Sequence, residues 1–108
     1  MLINEAKLLE HFENDKSLIH ELSVIFDSSY PVSLTGLKKA VSQMNYEGIE
    51  LHAHTLKGMV ANFFAEEAIQ TALNLELIGR EKKEQSMHDL VHKLEKDLPQ
   101  IVDELKRI

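Results

Sequence analysis

Ile49-Glu50-Leu51-His52-Ala53-His54-Thr55-Leu56-Lys57-Gly58-Met59-Val60-Ala61-Asn62-Phe63 is the stretch on which the reading of this chain turns. Laid out at about 100° per residue, Ile49, Ala53, Leu56, Val60 and Phe63 fall on one narrow arc, the stripe an amphipathic helix turns toward a core. His54 lies nearly opposite that arc. Glu47, Glu50, Leu51, Lys57, Gly58 and Ala61 share its outward half, while His52 falls at the edge of the buried stripe. Two histidines two residues apart are thus expected in different environments.

Working outward, Met44 to Gly48 reads as a turn, with Asn45 the N-cap of a helix from Tyr46 to about Phe63. Upstream, apolar or small residues recur in steps of three or four at Leu18, Leu22, Ile25, Phe26, Ser29, Ser33, Leu37, Ala40, Val41 and Met44. The phase survives Pro31, which predicts one long helix kinked there, with two collinear helices as the alternative. A short opening helix is expected over Asn4 to Phe12, capped by Asn4, with Asp15 capping the long one. Downstream, a helix begins near Ala65 with Glu66 and Glu67 in its first turn, where the helix dipole favours carboxylates. It buries Ala68, Ile69, Ala72 and Leu75 and ends near Gly79-Arg80, with Gly79 suited to a C-cap. After a polar connection from Glu81 to Gln85, Ser86 caps a last helix. That helix places Leu90, Val91, Leu94, Leu98, Ile101, Leu105 and Ile108 on one face, with a kink expected at Pro99. Nothing reads as strand. The expected fold is all-α, an antiparallel up-down-up-down four-helix bundle with a short additional N-terminal helix.

At 108 residues the chain is one domain, residues 1–108. A net charge of −6 and the lack of a basic stripe argue against nucleic acid or an anionic membrane as partner. No apolar run approaches the roughly 20 residues that span a bilayer, and no leader pattern opens the chain. With no cysteine, disulfides and thiolate metal sites are excluded. A cytoplasmic monomer is the expectation.

His54, Lys57 and Gly58 carry the chemistry. Imidazole titrates near neutrality, so an uncharged nucleophilic nitrogen is available at physiological pH. Lys57, three residues on, can offset the charge that spreads over the oxygens of a phosphoryl group under attack. Gly58, four residues on, has no side chain to crowd the ring, at a cost of about 1 kcal/mol in helix propensity. Each residue alone is ordinary on a wet helix face. Their union with Ala53 and Leu56 is not.

Ala53 to Gly58 resembles the Ala-His-x-Leu-Lys-Gly signature of histidine-containing phosphotransfer (HPt) domains. The likeness extends to Leu22–Phe26 with Pro31, Leu37 and Ala40, and to Leu75-Glu76 followed by Gly79-Arg80, which is similar to a recurrent Leu-Glu-x-x-Gly-Arg ending. The resemblance implies that His54 is phosphorylated, that Lys57 is its charge partner and that Gly58 supplies clearance. It also implies an antiparallel four-helix bundle. The implied activity is that of a phosphocarrier without its own ATP site, not an enzyme. The implied partners are receiver domains of response regulators or hybrid histidine kinases, which bring the aspartate and Mg²⁺; no cofactor is expected on this chain. Two departures stand out: Met59, where small residues are usual, and Phe64, where the family usually has Gly. Glu50, Leu51 and Ala61, on the outward half beside His54, are the expected docking residues.

Two other roles compete: a receiver-binding module that is never phosphorylated, and the phosphorylated domain of a larger chemotaxis-type or hybrid kinase. His88 and His92, spaced i, i+4, lack the third ligand a zinc site requires, and no metal site is expected. His11 and His20 have no chemical neighbourhood, Lys82 and Lys83 read as a solvated turn, and Phe63-Phe64 as one core ring and one packed over the turn.

Overall fold

The computed structural model describes residues 1–84 and 86–108; the end of the Glu81–Gln85 connection thus lies outside the described residues. These form α1 (Glu5–His11), α2 (Lys16–Ser42), α3 (Tyr46–Ala61), α4 (Glu66–Glu81) and α5 (Met87–Lys106). The packed pairs are α3 with α4, α2 with α3, α2 with α5 and α4 with α5, a closed ring of neighbours. This is the expected bundle with its extra N-terminal helix. At 1.5 Å rise per residue the 27-residue α2 spans about 40 Å, which sets the 42 Å long dimension. No helix among the described residues is long and apolar enough to cross a membrane.

The caps follow the sequence. Side chains of Asn4, Asp15 and Asn45 accept from the amides of Lys7, Leu18 and Gly48 at 3.1, 3.0 and 3.1 Å, satisfying donors that have no partner within the helix. Ser86 occupies its N-cap position without such a bond. Both prolines sit inside unbroken helices, so α2 is one helix and not two. Pro31 and Pro99 are exposed, and the carbonyl each leaves without a donor lies where water can replace it.

Three expectations need correction. The buried stripe of α2 runs through Ile19, Ser23, Phe26, Leu37, Ala40 and Val41, one residue out of phase with the expected Leu18–Leu22–Ile25 in its first half. Ser23 makes this possible because its hydroxyl donates to the His20 carbonyl at 2.7 Å, so a polar residue is buried at little cost. Leu18, Ile25 and Met44 are therefore exposed, as is Val32. Second, α3 stops at Ala61, short of Phe63. Third, Gly79 is not the C-cap of α4. Lys82 is, in the left-handed conformation with φ 55°. Gly79 is buried inside the helix, where an added Cβ would stand 2.5 Å from the Glu50 amide nitrogen and 2.7 Å from the Tyr46 carbonyl oxygen. The glycine lets the main chains of α3 and α4 touch.

Phe63 is a core ring and Phe64 is half-buried, as the sequence suggested. Phe64 has φ 54°, which accounts for the fitness of glycine at this point; for a phenylalanine it costs roughly 1–2 kcal/mol. What offsets the strain is the N-terminal segment. The Phe64 carbonyl accepts the Asn4 amide at 3.0 Å, and its ring meets His11 edge-on at 5.5 Å. Leu8 and Ile3 of the same segment are buried. The buried carboxylate of Glu104 on α5 completes this clasp, taking the Leu2 amide at 2.8 and 2.9 Å and the Ile3 amide at 3.0 Å.

Candidate functional site

His54 projects from the middle of α3 with its side chain 66% exposed, while Ala53 and Leu56 beside it are fully buried. The contrast follows from helical phase, fixed at the start of α3 by Asn45. His52 turns toward α2, where its ring packs against Gly36 so closely that a Cβ there would stand 2.5 Å from Cε1. The neighbouring histidines are thus separated as the periodicity demands, one wet and one wedged between helices.

Beneath His54 lies a residue to which the sequence reading gave no role. Glu76, on α4, is only 2% exposed. Its Oε2 lies 2.8 Å from His54 Nδ1, its Oε1 accepts from Lys57 Nζ, and Oε2 also accepts from Arg80 Nη2 at 3.1 Å. Arg80 in turn donates through Nε to Glu50 Oε2 at 2.8 Å. Burial pushes the Glu76 carboxyl up, but the hydrogen bonds and charges of Lys57 and His54 outweigh it and hold the group below the usual carboxylate range. At neutral pH it is ionised and can only accept hydrogen bonds. His54 Nδ1 must therefore carry a proton, and in the neutral ring the lone pair sits on Nε2, turned away from the carboxylate.

Of the expected site residues, the structure draws His54 and Lys57 together through Glu76 and leaves Gly58 open: a Cβ there would meet no heavy atom within 4 Å. Glu50 reaches the same cluster through Arg80. Leu51 is 61% exposed and Ala61 is also exposed; they flank His54 on the outer surface, outside the charged cluster. In the sequence Glu76 and Arg80 stand out only within the motif from Leu75 to Arg80. Their i, i+4 spacing puts an acid and a base on one face of a helix that must neighbour α3, and that was the signal available. Among the described residues no three His, Asp or Glu side chains converge on a metal-binding geometry. His88 and His92 are both exposed.

The chain matches the Hpt domain family over residues 21–107, most of its length. It belongs to that family, whose members serve histidine phosphotransfer in phosphorelays and pair with receiver domains. No curated protein and no solved structure matches it. The family match begins within α2 and leaves α1 outside.

Proposed function

We propose that the chain accepts a phosphoryl group on Nε2 of His54 from a receiver-domain aspartyl phosphate and passes it to another receiver aspartate. The observation that carries this reading is the ionised, buried Glu76 against Nδ1 of an exposed imidazole. It holds the ring in one tautomer and one orientation, the usual work of a carboxylate placed behind a reactive histidine. In the forward step Nε2 gives its lone pair to phosphorus, the phosphorus–oxygen bond to aspartate breaks, and the carboxylate leaves with that electron pair. The ring becomes cationic while it keeps its Nδ1 proton, and Glu76 faces that charge directly. Lys57, one turn along, is placed to counter the phosphoryl oxygens. Aspartate, Mg²⁺ and most of the catalytic electrostatics come from the receiver.

Docking would use the side of His54 away from α4. There Leu51 and Gly58 lead to a shallow groove between α2 and α3 lined by Leu22, Ile25, Ser29, Met59 and Asn62. Ile25 and Val32, 59% and 74% exposed, lie two turns apart on one stripe of α2, and so continue this apolar surface. Glu50 stands on its charged rim. His54 thus separates a greasy half, suited to a partner's surface, from a charged half suited to phosphoryl oxygens.

Incubation with a phosphorylated receiver tests the proposal. Acid-labile, alkali-stable label should appear on the wild type and be absent from His54→Gln. Label of that kind persisting in the variant would refute the site.

A further inference from the structure

The charged side chains linked to His54 by hydrogen bonds, directly or through one another, include Glu76, Lys57, Arg80 and Glu50, two of each sign. Glu76 lies under the ring and holds Nδ1. Lys57 is one helical turn beyond His54 and Glu50 one turn before it, on the same wall of α3. Arg80 reaches across from α4, and its guanidinium is already divided, with Nε bonded to Glu50 at 2.8 Å and Nη2 to Glu76 at 3.1 Å. His54 and Arg80 share the same Glu76 oxygen, so the guanidinium and the imidazole are near neighbours.

A phosphoryl group on Nε2 would bring about two negative charges and three acceptor oxygens into this balance. Arg80 has the planar fork that suits such a group, and its side chain is 55% exposed, free to turn. To present that fork it must give up Glu50. We propose that Glu50 is a positioning residue that weakens the hold on phosphohistidine, by retaining Arg80 and by adding a like charge one turn from the phosphoryl oxygens. This rests on the phosphocarrier reading of His54. Both effects have the same sign, and both keep the phosphoryl group transferable. A carrier that bound its cargo too well would stop the relay. Glu50 acts through Arg80 and touches neither the ring nor the reacting atoms.

Exchange with N-phosphoimidazole tests this without a docking partner. The phosphorus–nitrogen bond of the donor breaks, His54 Nε2–P forms, and free imidazole leaves with the electron pair. The bond lost and the bond made are of one kind, so the equilibrium constant, read by phosphorus NMR on the full chain, reports the protein environment. Glu50→Gln, which keeps the shape and an acceptor, should raise that constant about two- to five-fold at low ionic strength, the range expected of a partly exposed charge pair. Most of the gain should vanish at about 1 M salt, where the screening length is near 3 Å; a purely structural change would not respond in that way. In an Arg80→Gln background the Glu50→Gln gain should shrink below two-fold. Wild-type phosphorylation with an unchanged constant in Glu50→Gln overturns this inference alone, as does an undiminished gain in the Arg80→Gln background. Failure of the wild type to acquire phosphate on His54 from a phosphorylated receiver as well as from N-phosphoimidazole overturns the phosphocarrier reading and this inference together.

Discussion

Glu76 and Glu104 are both carboxylates buried in a four-helix bundle, and they do opposite work. Glu104 takes its hydrogen bonds chiefly from main-chain amides, those of Leu2 and Ile3, with Gln100 adding a side-chain donor at 3.0 Å. Glu76 takes all of its bonds from side chains, His54, Lys57 and Arg80. An amide bound to Glu104 can leave only if the N-terminal segment peels away, so that carboxylate is a staple. The donors on Glu76 reach it from a wet surface and can trade partners one at a time. A buried charge thus locks or works according to where its donors are anchored, and burial alone does not distinguish the two.

The largest effect should come from breaking the staple. Glu104→Ala leaves two amides without an acceptor and should cost about 2–4 kcal/mol, read as a fall in the urea midpoint, while the protein that remains folded still labels on His54. If labelling fell in step with no change in midpoint, the contrast between the two carboxylates would collapse. Glu76→Gln should do the reverse. An amide can turn its NH₂ group to Nδ1 as readily as its oxygen, so the tautomer is no longer imposed. The rate of phosphoryl acceptance should fall about ten-fold, with a stability loss nearer 1 kcal/mol. Stopped-flow transfer from a phosphorylated receiver measures the first, and denaturation the second.

Acid sharpens the comparison with the smallest effect. Burial raises both carboxyls, but Glu104 is held below its usual range by the Ile3 and Leu2 amides, and Glu76 by Lys57 and His54. A lowered folded value means that the group stabilises the fold above its unfolded pKa, about 4.3, and that this contribution is lost as pH falls through the folded value. Stability should therefore decline as pH drops below about 4.5, and the decline should be shallower in Glu104→Ala than in the wild type. Equal slopes would mean that the staple is protonated without consequence.

Much of this was legible in the sequence. Asn4, Asp15 and Asn45 announce helix starts because capping is local, and the α3 stripe assigns His54 to water because helical phase is local too. What escaped was non-local. Glu76 and Glu104 are charged residues in a core, and polarity reads as surface unless their donors are known; those donors lie 22 and 102 positions away. Ser23 differs in that its partner is local: a hydroxyl satisfied by its own helix can face the core while Leu18 and Ile25 face out. Gly79 looked like a helix end because glycine favours ends, and only the approach of Glu50 reveals its use.

That approach has a consequence for how such a surface can diversify. Where α3 meets α4 at Gly79, main chain rests on main chain, so the spacing between the imidazole and its acid is set by atoms that no substitution elsewhere can trim or pad. The opposite flank, built from Ile25, Val32, Leu51 and Met59, is made of side chains alone. If receivers dock there as proposed, new ones are accommodated by exchanging one hydrocarbon for another, while the half around His54 and Glu76 keeps its dimensions.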